Sequence, residues 1–101
     1  MTSALEITTF RLVKGKTLTD FIAANRDVDA WLLRQPGFRS RWIAESDDHE
    51  VVDVLLWASS AAARDAMGRL MVELGESPVH ALIRQATVSW TVCEVGQTSS
   101  A

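Results

Sequence analysis

The fold is decided by residues 17–38, which read TLTDFIAANRDVDAWLLRQPGF. Apolar residues recur in this stretch at spacings of three and four, a pattern that predicts one amphipathic helix. The predicted apolar face carries Leu18, Phe21, Ile22, Val28, Leu32 and Leu33. Pro36 ends the helix at Gln35, because the residue before a proline is driven out of helical geometry. We therefore predict a helix that covers a sheet and leads directly into a strand.

Two polar residues, Asn25 and Asp29, interrupt this apolar face one turn apart. Buried polar groups need hydrogen-bond partners or a pocket to face. One hypothesis is that Asn25 orients a substrate hydroxyl and that Asp29 acts as a general base. The alternative is structural, in which both side chains bond to the sheet, to Arg39 or Arg41, or to the edge of a dimer partner.

The rest of the chain alternates strand and helix patterns. Runs of β-branched and apolar residues predict four strands, over residues 5–13, 38–45, 50–58 and 87–94. A second helix begins at Ser59 or Ser60 and ends at Gly75, and a short helix over 79–84 begins at Ser77 with Pro78 in its first turn.

The resulting order is β-α-β-β-α-β. It predicts an α+β, ferredoxin-like fold with an antiparallel four-stranded sheet and both helices on one face. Residues 1–95 then form a single domain, and residues 96–101 form a flexible, polar C-terminal tail.

Composition excludes several classes of protein. The 101 residues carry a net charge of −3 with the two signs interspersed, unlike the basic surface of a nucleic-acid-binding protein. No apolar run approaches the roughly 20 residues of a membrane span, and Met1 is not followed by a secretory signal, so a cytoplasmic protein is expected. One cysteine, Cys93, and two histidines give no metal-ligand spacing. We expect no bound metal.

The chain is rich in apolar residues for its size. Hydrophobic residues make up 48% of it, including four tryptophans and no tyrosine. A four-stranded sheet with helices on one face leaves its other face bare. We therefore expect a homodimer in which a second copy covers that face.

Several short segments, taken together, resemble a known family. They are Leu12-Val13-Lys14-Gly15 after the first strand, Gln35-Pro36-Gly37-Phe38 after the first helix, Leu55-Leu56-Trp57-Ala58-Ser59 before the second helix, and Ser77-Pro78 before the short helix. In order and spacing they resemble the antibiotic biosynthesis monooxygenase-like (ABM) group of the dimeric α+β barrel superfamily. The resemblance spans residues 5–95.

The resemblance implies a homodimeric barrel with a pocket between each sheet and its own helices. Activities in this superfamily include cofactor-free oxygenation of polycyclic substrates, quinol oxidation and haem degradation. Haem-degrading members use an Asn on the first strand, a Trp inside the second helix and a His near the short helix. This chain has Thr8 or Thr9 at the strand position and matches only through His80, so haem degradation is not favoured.

The candidate site residues follow from this pocket. Asp29 or His80 would move a proton, and Asn25 would orient the substrate. Trp42, Trp57 and Trp90 would form an aromatic wall, although core packing or dimer contact is the alternative for each of these tryptophans.

The predicted function is that of a cofactor-independent, monooxygenase-like enzyme acting on an aromatic or quinol-type small molecule. It would use no metal or flavin. The alternatives are a non-catalytic, dimeric ligand-binding or stress-associated protein of the same fold, and a structural dimerisation module.

Overall fold

The computed structural model describes residues 2–101 and contains one sheet covered by helices. The elements are β1 (Ala4–Phe10), α1 (Leu18–Ala24), α2 (Arg26–Leu32), β2 (Phe38–Glu45), β3 (Val51–Trp57), α3 (Ser60–Glu73) and β4 (Ser89–Glu94). Two short 3₁₀ helices, Pro78–Leu82 and Gln85–Thr87, connect α3 to β4. The four strands are antiparallel to their neighbours and lie in the order β2-β3-β1-β4. The predicted α+β, ferredoxin-like fold is confirmed.

The predicted long helix is divided at Asn25. The backbone of Asn25 leaves helical geometry (φ −94°, ψ 12°), and its side-chain Nδ2 donates to the carbonyl oxygens of Phe21 and Ile22. An amide side chain that bonds to nearby carbonyls competes with the helical pattern. Helices α1 and α2 therefore meet at this residue, and the prediction of one uninterrupted helix was wrong.

Three predicted strands are shorter than expected. Strand β3 loses one residue at each end, and β1 and β4 are shortened where they meet the segment between α3 and β4. Leu12 forms an isolated bridge with Ile83, and the backbone N–H of Val13 donates to Leu82 at 2.8 Å. Strand β1 therefore ends at Phe10. Thr87 lies in the second 3₁₀ helix, where its hydroxyl accepts from the backbone N–H of Arg11, so β4 begins at Ser89.

The start of α3 is fixed by a cap and a close turn. The side chain of Ser59 accepts from the backbone N–H of Ala62, a standard N-cap bond. Gly37 has φ +83° and lies so close that an added Cβ would stand 2.9 Å from the Cβ of Ala62. Its carbonyl accepts from Ala58 at 2.8 Å. The turn before β2 is thus packed directly against the beginning of α3.

The helices cover one face of the sheet. Along β3, the odd-numbered residues from Val51 to Trp57 are buried and the even-numbered ones are only half-buried. The core on the covered face includes Phe10 against Phe21, with ring centroids 5.1 Å apart, and Phe38 against Trp57 at 5.5 Å. Within residues 2–101, no helix has the length and apolar character needed to cross a membrane.

Candidate active site

A cavity of about 300 Å³ lies between the helices and the covered face of the sheet. Its walls are mainly apolar and come from every layer of the fold. They include Phe10, Phe21, Val28, Trp31, Leu55, Trp57, Ala66, Met67, Leu70 and Val79. The exposed lining residues Met71, Val88 and Trp90 mark the side on which the cavity meets solvent. This is a size and a composition typical of a small-molecule site.

Glu6 is a buried carboxylate on the sheet side of this cavity. It lies on β1 in phase with Ala4 and Phe10, so it points toward the helices, and it is only 4% exposed. Its Oε1 accepts from the indole Nε1 of Trp57 at 2.9 Å. Its Oε2 accepts from the Nε1 of Trp90 at 2.8 Å. Two indoles from neighbouring strands thus hold one carboxylate at the cavity wall.

Burial raises the pKa of Glu6 above the ordinary glutamate value of 4.5. The two indole hydrogen bonds act in the opposite direction, because they stabilise the ionised carboxylate. The nearby charge of Asp53 adds to the increase, and that of Arg41 reduces it. A carboxyl group whose pKa is raised is a better proton acceptor once ionised than an exposed one.

A buried ion pair closes the β2 and β3 side of the cavity. Arg41 and Asp53 both line the cavity, and they form a two-pronged contact: Nε to Oδ1 at 3.0 Å and Nη2 to Oδ2 at 2.8 Å. The Arg41 side chain is only 7% exposed. This bidentate arrangement satisfies the buried charges and explains the one polar interruption in β3.

Asn25 and Asp29 join this ion pair instead of lining the cavity. Nη1 of Arg41 donates to Oδ1 of Asn25 at 2.7 Å and reaches Oδ1 of Asp29 at 3.5 Å. Asn25 is buried, but the side chain of Asp29 is 55% exposed. Both residues border a shallow surface depression with Ile43, outside the main cavity. The structural alternative for this pair therefore describes their contacts, and the placement of Asp29 on the buried face was wrong.

His80 lies in the first 3₁₀ helix and lines the cavity opposite the sheet. Its Nε2 is 2.8 Å from the carbonyl oxygen of Leu74. A carbonyl oxygen only accepts, so this contact fixes the hydrogen of the neutral ring on Nε2. Nδ1 is then the ring atom able to accept a proton.

The predicted aromatic wall is divided between the two faces of the sheet. Trp57, Trp90 and Trp31 from α2 line the cavity, but Trp57 is fully buried and Trp90 is the one of the three with substantial exposed surface. Trp42 pairs with Val54 on the bare face and is 55% exposed, so it does not contribute to the cavity. A bulge between Phe38 and Ser40 puts Phe38 on the face of Arg41 and Ile43, and leaves Trp42 on the other face.

Glu6 was not among the residues predicted from the sequence, although the sequence contains a signal for it. It is the one charged residue in the strand-forming run from Leu5 to Phe10. It also alternates in phase with Ala4 and Phe10, two apolar residues. A lone carboxylate on the apolar phase of a strand indicates either a buried partner or a site.

Comparison with known proteins finds similarity in structure only. No protein-family profile matches the chain, and no curated protein matches it. Among solved structures, SnoaB, a cofactor-independent oxygenase from Streptomyces nogalater, is 19% identical, with 97% of both chains covered and a TM-score of 0.75. A monooxygenase from the gene ActVA-Orf6 of Streptomyces coelicolor, solved with the ligand nanaomycin D, is also 19% identical, with 99% and 93% covered and a TM-score of 0.69.

A dimeric ferredoxin-like protein from an uncultured marine organism is 12% identical, with 100% of this chain and 94% of that chain covered and a TM-score of 0.74. The chain has the fold of these proteins. The resemblance to the ABM-like group is confirmed at the level of the fold.

Proposed function

We propose that the protein is a cofactor-independent, monooxygenase-like enzyme that acts on an aromatic or quinol-type small molecule in the cavity between the helices and the sheet. The observation that carries this proposal is an apolar cavity of about 300 Å³ walled by Trp31, Trp57 and Trp90 that also contains titratable groups. Flat aromatic molecules pack well against indole rings. The fold shared with SnoaB and the ActVA-Orf6 monooxygenase supports the same reaction class.

The chemistry needs a base and a cavity that excludes bulk water. A hydroxyaromatic substrate gives its O–H proton to a base, and the resulting anion supplies electrons to dioxygen. A C–O bond forms as a hydroperoxide, and loss of water from that intermediate leaves a quinone. Dioxygen thus supplies one oxygen atom to the product and one to water. Burial of the anion among apolar side chains keeps it from being reprotonated by solvent.

The roles of the side chains follow from their surroundings. His80 is our candidate for moving a proton, through Nδ1, while Leu74 holds its other nitrogen. Trp90, which is 38% exposed, is the proposed contact for the ring system of the substrate, and the fully buried Trp57 supports the cavity wall. Asn25 supports the site indirectly, because it fixes the Arg41 guanidinium that lines the cavity.

A homodimer belongs to the same proposal. The bare face of the sheet carries the exposed indole of Trp42 beside the half-buried Val52, Val54 and Leu56, and a contiguous apolar patch of this kind is typical of an association surface. The dimeric ferredoxin-like protein of the same fold supports this arrangement. In this homodimer Trp42 contacts the second copy, which covers the bare face of the sheet.

The enzymatic proposal is tested by oxygen uptake with a panel of quinols and polycyclic phenols, corrected for autoxidation without protein. Val88→Trp fills the mouth of the cavity from an exposed position, and we expect it to lower the enzyme-dependent rate at least tenfold. Val72→Trp makes the same change at an exposed site on α3 that does not line the cavity, and it should retain the rate.

Passive ligand binding is the second candidate function, favoured by the apolar character of the cavity alone. It predicts that the panel binds without oxygen uptake and that Val88→Trp weakens binding. Equal oxygen uptake by both variants would contradict a reaction in this cavity.

A further inference from the structure

The hydrogen-bonding capacity left around Glu6 in the cavity is that of an acceptor. The indole hydrogens of Trp57 and Trp90 are both donated to Glu6. The guanidinium of Arg41 directs four of its five N–H groups at Asp53, Asn25 and Asp29. Each carboxylate oxygen of Glu6 takes one hydrogen and keeps a second lone-pair direction. A ligand in the cavity can therefore donate a hydrogen bond to the Glu6 carboxylate.

The charges of the lining residues also favour a neutral ligand over an anion. Glu6 and Asp53 are negative, and Arg41 is the one lining cation among residues 2–101 apart from a protonated His80. With His80 neutral, the formal charge of the lining is −1. Charge interactions are strong where water is excluded, so a carboxylate or phosphate ligand is disfavoured in this cavity.

We propose that Glu6 is the proton acceptor for the substrate, and that the cavity selects a neutral hydroxyaromatic molecule over its ether and over aromatic anions. This inference rests on the proposed function and names the substrate class of the same site. The substrate hydroxyl donates to a carboxylate oxygen of Glu6. In the reactive step the substrate O–H bond breaks, its proton forms an O–H bond with Glu6, and the electron pair stays on the substrate oxygen. The peroxide that forms from the substrate anion and dioxygen takes this proton back, directly from Glu6 or through His80, and then loses water, so the Glu6 carboxylate is restored before the product leaves.

The geometry around Glu6 suits this role. The two indole hydrogen bonds fix the carboxylate in one orientation, so that no side-chain freedom is lost when a ligand binds. Trp90 lines the cavity and is 38% exposed, so a ring packed against its indole carries its hydroxyl close to the carboxylate. A purely structural Glu6, which only anchors the tryptophans, would not distinguish a hydroxyl from an ether.

The test compares three ligands of nearly equal shape by calorimetric titration without oxygen, so that no turnover occurs. They are 1-naphthol, 1-methoxynaphthalene and 1-naphthoate at pH 7, where a phenol-type hydroxyl with a pKa of about 10 is neutral. We expect the protein to bind naphthol at least tenfold more tightly than the ether and to bind naphthoate most weakly. Glu6→Gln should reduce the preference for naphthol over the ether to less than about threefold. That change corresponds to the loss of one hydrogen bond to a charged group.

Glu94→Gln is the matched control, because it makes the same change at an exposed position on the neighbouring strand β4. It should keep the tenfold preference for naphthol. The three ligands with the unmodified protein give an independent result if Glu6→Gln does not fold. Equal binding of naphthol and its ether, or tightest binding of naphthoate, would overturn the role of Glu6 and leave the cavity proposal standing. Binding of none of the three would overturn both.

Discussion

At the scale of the residue, the polar groups of the covered sheet face form two separate sets. Glu6 bonds to Trp57 and Trp90, whereas Arg41 bonds to Asp53 and to Asn25. In the second set the carboxylate charge of Asp53 is paired with the guanidinium of Arg41. Glu6 keeps acceptor capacity toward the cavity, and burial acts on its ionisation. This difference makes Glu6 a candidate for chemistry and the Arg41 set a support for the cavity wall.

The raised pKa of Glu6 has a consequence for stability. The folded protein holds the Glu6 proton more tightly than the unfolded chain, so the ionised group opposes folding. Below pH 4.5 the group is protonated in both states. As the pH rises from there through the folded-state pKa, the protein should lose stability relative to Glu6→Gln, by about 1.4 kcal/mol for each pH unit between the two pKa values.

Urea denaturation of both proteins between pH 4 and pH 8 measures this difference. The titratable and charged groups that face Glu6 are Asp53, Arg41 and His80, and all three are present in both proteins, so their own titration largely cancels. A stability difference that is independent of pH, or that changes in favour of the unmodified protein as the pH rises, would show that Glu6 is not destabilised when ionised.

At the scale of the element, the turn between α2 and β2 determines how the helices sit on the sheet. Gly37 combines a positive φ with the close approach to Ala62 at the start of α3. Its carbonyl also accepts from Ala58, just after β3. The turn therefore contacts both the end of β3 and the start of α3 and leads into β2. All three elements surround the cavity.

Gly37→Ala should therefore be costly, and Gly15→Ala is its natural control. Both glycines have positive φ, but an added Cβ at Gly15 meets no atom within 4 Å. We expect a loss of about 1 kcal/mol in the free energy of unfolding for Gly15→Ala, from backbone conformation alone. For Gly37→Ala we expect about 3 kcal/mol, because overpacking against Ala62 is added. Chemical denaturation measures both, and equal losses would contradict the close packing of this turn.

At the scale of the whole molecule, the sheet has one covered face with the cavity and one bare face with Trp42. The sequence predicted the element order, the full extent of β2, the Ser59 cap and the short helix after Ser77, because these depend on local patterns. It did not predict the break at Asn25 or the early end of β1. The break depends on the Asn25 side chain bonding back to the carbonyls of Phe21 and Ile22, which an apolar periodicity does not show. The early end of β1 depends on contacts with the distant 82–84 segment.

The candidate site was only partly predictable for the same reason. Trp57, Trp90 and His80 line the cavity, but the strand patterns did not show which face of the sheet the helices would cover. The roles assigned to these residues remain predictions. Asn25 and Asp29 shared a helical face with apolar residues, but the sequence could not tell whether a cavity or Arg41 would meet them. Trp42 could not be assigned to a face, because both faces of β2 carry large apolar residues. The signal for Glu6 was a single charged residue on the apolar face of a strand.

A crystal structure of the protein, grown with 1-naphthol in the absence of oxygen, tests most directly whether Glu6 binds the hydroxyl of a ligand in the cavity. We expect the naphthalene ring to lie in the cavity against Trp90, with its oxygen about 2.5–3.0 Å from a carboxylate oxygen of Glu6. A naphthol bound only on the bare face beside Trp42, or bound in the cavity with its oxygen directed away from Glu6, would contradict the role of Glu6 as the proton acceptor.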